Sequence, residues 1–279
     1  MTKTVKIKIA DVCFEISLND IKIRSLKKDL IFWTKRRFKD FLSKEKGGFF
    51  IDVEEGYAID KWEDIRDVKL VGDKNNSRFI LRLNGSEIGF IDTRTNKANI
   101  KMGAWRSNDK VFLLSSFLEA SLQLALIQNS GFLVHSCGVV KEKTGYLFLA
   151  PAEGGKTTVA HKSRKFRVLS DDCNALKREG NDWFIYPTPW GRLPNGKVEK
   201  VRLAKIFFLK KAKYLEIKEL SFGNSLIRFF SQIHMSGIIE RTDLAEKILE
   251  EIENLARNLR FFELSFSKKS RIWEAIGNK

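Results

Sequence analysis

Between residues 146 and 158 an apolar run, Tyr146-Leu-Phe-Leu149, passes into Ala150-Pro-Ala-Glu-Gly-Gly-Lys-Thr157-Thr158 and then into Val159-Ala160-His161-Lys162. That order fits a strand, a small-residue loop and the start of a helix. Gly155-Lys156-Thr157 match the last three positions of the phosphate-loop pattern GxxxxGK[ST], and Ala150 stands where its first glycine would be. Small residues let successive backbone N–H groups curl around an anion, and the following helix turns its N-terminus toward the same anion. A lysine and a hydroxyl at these positions suit the β- and γ-phosphates and Mg²⁺. Two residues depart from the pattern. If position 150 needs φ > 0, the Ala150 Cβ is strained there. The Glu153 carboxylate is unfavourable beside phosphates unless it faces solvent or a cation. Taken alone, the segment also fits a glycine-rich turn that binds nothing.

Further along, Asp171 and Asp172 close the apolar run Phe166-Arg-Val-Leu169. Adjacent carboxylates at a strand end repel one another unless a cation lies between them and a partner. With Mg²⁺ nearby, one can hold the metal and the other can accept a hydroxyl proton. A solvated turn or a helix cap is the plainer reading of the pair alone. His135 lies in the strand-like run Phe132-Leu-Val-His-Ser-Cys137, just before the hairpin that leads into the loop. If the strands are neighbours, His135 stands near Asp171 and can orient it. By itself, a histidine in an apolar strand is more often a satisfied core residue.

Taken together, LVHSCGVV, YLFLAPAEGGKTT and VLSDD make residues 131–210 resemble the catalytic domain of HPr kinase/phosphorylase. The resemblance is stronger still to compact HPr-kinase-like proteins that include peptide-modifying and free-serine kinases. It implies an α/β fold of mixed α+β character, a P-loop fold like that of HPr kinase and phosphoenolpyruvate carboxykinase with a mixed, curved sheet. The implied activity is ATP- and Mg²⁺-dependent transfer of the γ-phosphoryl group to a hydroxyl, typically serine, of a peptide, protein or small metabolite. Carried over by position, Asp171 is the general base with His135 beside it, and Lys156 is the third catalytic residue. Glu153, Gly154, Gly155, Lys156, Thr157 and Thr158 surround the nucleotide phosphates, and Thr157 and Asp172 hold Mg²⁺. The acid pair is carried over more firmly than the division of labour within it. Tyr186-Pro-Thr-Pro-Trp-Gly191 corresponds to a loop near the acceptor, and equally fits a rigid proline turn around a packed tryptophan. The capping segment used for phosphorolysis in the two-way enzymes has no match, so transfer from ATP alone is implied.

The rest of the sequence is less specific. Residues 1–105 read as a mostly β segment or subdomain, with strand-like runs VKIKI, VCFEISL, FFIDV, YAI, RFILRL, IGFIDT and KANIKM and turn signals at Gly72-Asp73, Asn84-Gly85 and Thr95-Asn96. Residues 26–46 fit either a basic amphipathic helix or a partly buried connection. Residues 106–279 form the expected catalytic domain, opening on a buried helix near 110–129 and closing on a helix from Asp243 with Thr242 as its cap, followed by a strand. Val111 to Ile127 is short and polar for a membrane span. The N-terminus alternates charged and apolar residues, unlike a signal peptide, and three scattered cysteines suggest neither disulfides nor zinc, so a cytoplasmic setting is expected. A net charge of +16 favours anionic partners: the nucleotide and an acidic peptide or protein acceptor. Nucleic acid is not expected, since no helix-turn-helix, zinc-finger or RNP signature accompanies the charge. Self-association is left open. The alternative reading is a non-catalytic nucleotide-binding regulator with a degraded loop.

Overall fold

The computed structural model describes residues 4–56, 68–72, 77–83, 85–103, 107–191, 199–233 and 242–277, the side chains of 107–110 and 242 excepted. The strand expected at 57–59, the turn residues Asp73 and Asn84 and the Thr242 cap fall outside that description. The chain divides into two compact units, Met1–Gln128 with Met235–Ala245 and Asn129–His234 with Glu246–Lys279. It is a mixed α/β protein with two mixed sheets and several helices.

The first unit holds a seven-stranded sheet ordered β1-β2-β3-β7-β6-β5-β4. Its strands are β1 (Thr4–Ile9), β2 (Val12–Ser17), β3 (Phe49–Glu55), β4 (Val68–Gly72), β5 (Arg78–Leu83), β6 (Ser86–Asp92) and β7 (Lys97–Met102). Burial alternates along β1, β3, β5 and β7, which is the period of a strand with one face covered. In β1, Val5, Ile7 and Ile9 point inward while Lys6 and Lys8 occupy the other face. The β2–β3 and β3–β7 pairings are parallel, and α1 (Arg24–Arg37) bridges the first of them. Residues 26–46 thus begin with a helix, and Leu26, Leu30 and Thr34 are its buried stripe.

Helix α2 (Ser107–Gln128) packs against α1, β2 and β7. Its window Val111–Gln128 is the one described stretch long and apolar enough to cross a membrane, and 61% of it is buried within the protein. Leu113, Leu114, Phe117, Leu118 and Leu122 are all inside. The unit boundary leaves α2 with the first sheet, one helix beyond the 105/106 division expected from the sequence.

An eight-stranded sheet builds the second unit. Its elements are β8 (Gly131–Lys141), β9 (Thr144–Leu149), β10 (Arg167–Ser170), β11 (Cys173–Glu179), β12 (Asp182–Pro187), β13 (Val201–Lys211), β14 (Glu216–Glu219) and β15 (Arg260–Phe266). Strand β8 pairs with β11 through residues 131–135, with β9 through 136–141 and with β10 near its end. Strand β13 pairs with β12, β9 and β15, so β8-β11-β12-β13-β9 close a ring of pairings. A sheet that must turn back on itself in this way is strongly curved.

Helix α3 (Lys156–Lys162) lies on β8 and β9. Below it runs an apolar core that includes Cys137, Val139, Phe148, Ala150, Val159, Phe207, Phe262, Phe266 and Trp273. Trp273, in α6 (Ile272–Gly277), meets the rings of Tyr146, Phe148 and Phe166 and donates Nε1–H to Ser163 Oγ at 3.0 Å. Lys162 donates to the Lys268 and Ser270 carbonyls, which ties the far end of α3 to the C-terminal segment. On the other side α4 (Phe222–Phe230) places Phe229 against Phe132 and Phe261. The stripe of α5 (Thr242–Asn258), Leu244, Ile248, Ile252 and Leu255, is buried as its spacing predicts.

Candidate functional site

Strand β9 ends at Leu149 and α3 begins at Lys156, so the loop 150–155 sits where the sequence places it. Two of its residues adopt the left-handed region, Glu153 at φ 59° and Gly155 at φ 114°. Ala150 is not among the residues with positive φ. The strain expected there is absent, and its methyl packs into the core beside Cys137 and Val159. Glycine at 155 is required twice over. Its φ is costly for any residue with a Cβ, and an added Cβ would lie 3.0 Å from the Phe266 ring. Glu153 accepts the left-handed conformation with its side chain turned to solvent, the orientation in which a carboxylate is tolerated beside an anion site.

Lys156 is only 7% exposed, and its Nζ donates to the Ala150 carbonyl at 2.6 Å and the Pro151 carbonyl at 3.2 Å. Burial lowers the pKa of its amine, while the charges of Asp172 and Asp171 work the other way. Thr157 is exposed and Thr158 half-buried. Cys137 is fully buried, and burial together with the Asp171 charge pushes its thiol well above the ordinary range. It is therefore a protonated packing residue and not a nucleophile.

Asp171 and Asp172 form the link between β10 and β11. Asp171 is 5% exposed, whereas the Asp172 side chain is 59% exposed. His135 Nδ1 lies 3.3 Å from Asp172 Oδ1. That contact is with Asp172, the residue next to Asp171. The reason is register. Cys173 pairs with His135 across β11 and β8, and Ser136 N donates to the Asp172 carbonyl, so Asp172 is the residue that emerges at His135.

Four polar residues that the motif reading missed hold this link. Ser170 Oγ donates to the Trp190 carbonyl at 2.8 Å and accepts from the Asp172 and Cys173 amides at 3.3 Å each. Asn174 Nδ2 donates to Ser136 O and Oγ at 2.9 and 3.0 Å, and its own Oδ1 is buried without a hydrogen-bond partner among the described residues. Thr188 Oγ1 donates to the Cys173 carbonyl at 2.6 Å. The available signal was polarity out of place: Ser136, Ser170 and Asn174 interrupt apolar strands, where an unpaired polar group costs about 1–3 kcal/mol.

The segment Tyr186–Gly191 lies directly against the acid pair. Trp190 is buried, and an added Cβ on Gly191 would stand 2.3 Å from Ser170 Oγ and 3.3 Å from Asp171 Oδ1. The packing partner of the segment is the link carrying Asp171.

Among the described residues no group of three or more His, Cys, Asp or Glu side chains could hold a metal ion. A structural cage is therefore not present in that part of the chain. Mg²⁺ makes a lesser demand, since it keeps several waters and is held by one or two protein oxygens plus substrate phosphates. The Thr157 hydroxyl and the Asp172 carboxylate are exposed hard oxygen donors of that kind.

A family model described as SynChlorMet cassette protein ScmC matches residues 106–278. The chain belongs to this family. In ScmC terms, the match takes in α2, the loop at 150–155, the acid pair and the segment 186–191. No curated protein matches this ScmC-family chain. Among solved structures it is similar to the HPr(Ser) kinase/phosphatase from Coxiella burnetii, with 12% identity over 52% of this chain and 94% of that one. The TM-score is 0.29, which does not establish a shared fold.

Proposed function

We propose that the chain is an ATP- and Mg²⁺-dependent kinase that transfers the γ-phosphoryl group to a hydroxyl, serine being the favoured acceptor, of an acidic peptide, protein or small metabolite in the cytoplasm. One observation carries this reading: β8 pairs both with β9, which runs into the loop before the buried Lys156, and with β11, which follows two adjacent aspartates, the second of which contacts a histidine. Phosphoryl transfer needs little covalent help from a protein and depends on positioning and charge neutralisation.

Gly154, Gly155, Lys156, Thr157 and Thr158 would cradle the phosphates, and Lys156 would leave the Ala150 and Pro151 carbonyls for the β- and γ-oxygens. Asp171 would take the acceptor's proton as its oxygen bonds to the γ-phosphorus. The bond from that phosphorus to the β–γ bridging oxygen breaks, and ADP departs. Mg²⁺, held by Thr157 and Asp172, would offset charge on the phosphates. His135, in contact with Asp172, would orient that carboxylate.

The test is calorimetric titration with ATP, with and without Mg²⁺, on the wild type and on Lys156→Ala, followed by assays of labelled γ-phosphate transfer. Metal-dependent binding lost in the variant, with transfer to a hydroxyl acceptor, supports the kinase. No binding by the wild type removes it. The departures of Ala150 and Glu153 from the phosphate-loop pattern favour a second reading, a nucleotide-binding regulator. Tight binding without transfer to any acceptor would select that one.

A further inference from the structure

Helix α1 has a face that the fold leaves unused. Leu26, Leu30 and Thr34 turn inward. On the opposite side, at the centre of the solvent face, Phe32 is 66% exposed. At 100° per residue, positions 28, 35 and 36 flank position 32, and Lys28, Lys35 and Arg36 are exposed there. Phe32 is not drawn outward by a neighbouring ring. The next residue, Trp33, is half-buried and meets Phe38 edge-on at 5.8 Å. Asp29 is the sole acid in the helix.

The bases around Phe32 differ from those of the second unit. There Arg178 pairs with Glu251, Lys200 with Glu179, Arg202 with Asp182, Arg228 with Glu263 and Arg257 with Glu253. Lys28, Lys35 and Arg36 take part in no ion pair among the described residues. An aromatic ring left in water among three bases that form no ion pair among the described residues is the arrangement of an interface anchor with a polar rim.

We infer that this face of α1 docks an acidic polypeptide segment, with Phe32 received by an apolar residue or pocket of the partner and Lys28, Lys35 and Arg36 meeting its carboxylates. The charge requires an anionic partner, and the phenyl ring narrows the choice. A helix that lies in a lipid interface buries a wide apolar face, and the apolar face of α1 is already turned into the protein. Single-stranded nucleic acid is held by successive aromatic platforms in a groove, whereas α1 offers one ring on a convex surface. A peptide that alternates acids with an apolar residue satisfies both features. The inference goes beyond the proposed transfer reaction and does not depend on it.

The experiment measures binding of a fluorescent Glu-rich, leucine-bearing peptide to the full chain, without nucleotide, at about 0.15 M salt, where the diffuse field is screened beyond about 8 Å. The wild type is expected to bind this peptide and to bind a serine-for-leucine version more weakly. Phe32→Ala, which leaves the charge unchanged, should weaken binding about tenfold, the effect of losing one modest anchor. The triple variant Lys28→Glu, Lys35→Glu, Arg36→Glu should abolish it. The matched control Lys211→Glu, Lys213→Glu, Lys269→Glu has the same net charge on exposed positions of the second unit and should stay within about twofold. Circular dichroism confirms that each variant is folded. An unaffected Phe32→Ala, or equal loss in both triple variants, would reduce the surface to general basicity and overturn the proposal. So would displacement of the peptide from α1 by a single-stranded oligonucleotide or by anionic vesicles.

Discussion

The two units spend their polar residues differently. The second buries Ser136, Lys156, Ser163, Ser170, Asp171, Asn174 and Thr188, and most of them converge on the loop at 150–155 and the link at 171–172. The first buries fewer, among them Thr34, whose hydroxyl merely donates to the Leu30 carbonyl within its own helix. Apart from Asp92, which accepts from Ser77 Oγ and the Arg94 and Thr95 amides, its described charges are carried on the surface, and on α1 Lys28, Lys35 and Arg36 take part in no ion pair among the described residues. Buried polar groups are expensive unless paired, so a chain keeps them where geometry matters. The contrast separates a unit whose buried polar groups gather around one loop and one link from one in which they are fewer.

The comparison can be broken most severely at the acid pair. Asp171→Asn should leave ATP–Mg²⁺ affinity within about threefold and lower turnover by about 10²–10⁴-fold, the usual contribution of a positioned base. Full turnover in that variant would return Asp171 to a packing role. A smaller effect is expected from Gly191→Ala. Its Cβ would push the Trp190 segment away from Ser170 and Asp171, and displacements near 1 Å cost about 10²-fold in rate. Nucleotide binding should be unchanged, and a variant with normal kinetics would show that the segment does not set the geometry of Asp171.

Smallest is the difference in charge compensation. Burial would raise the Glu251 pKa, but hydrogen bonds from Arg178 and Ser130 outweigh it and the net shift is downward from 4.5. A carboxylate depressed in the folded state contributes stability that is present above pH 4.5 and lost as pH falls through its folded pKa. Glu251→Gln should therefore cost about 1–3 kcal/mol at pH 7 and less below pH 4, read from denaturant melts. Lys28→Ala on α1 should change stability by no more than about 0.5 kcal/mol. A large loss there would mean that the α1 charges are part of the fold after all.

Much of this was legible in the sequence where the signal is local. The alternation in β1, β3, β5 and β7 and the long stripe of α5 follow from side-chain period, and the loop at 150–155 and the acid pair stand out as contiguous motifs. Short elements escaped. Strand β14 is the polar tetrapeptide Glu216–Glu219 held by β15, and α4 lies in an apolar stretch whose period does not separate helix from strand. Strand β4 and the terminal α6 were missed for the same want of length. In the site, the His135–Asp172 contact follows from the register between β8 and β11, a pairing no local pattern specifies. The Ser170–Asn174 scaffold was visible only as polarity out of place, and its bonds reach across 20 and 38 residues of sequence.

Strand β8 carries both halves of the site. His135 stands at the acid pair, and Cys137, two positions on, lies beneath the loop that bears Lys156. The stretch of strand between them is about 7 Å. The span from acid link to phosphate loop is thus metered by the covalent repeat of a single strand. Repacking the side chains around β8 leaves that span intact, whereas one residue inserted or deleted within it would put the two halves on opposite faces of the sheet.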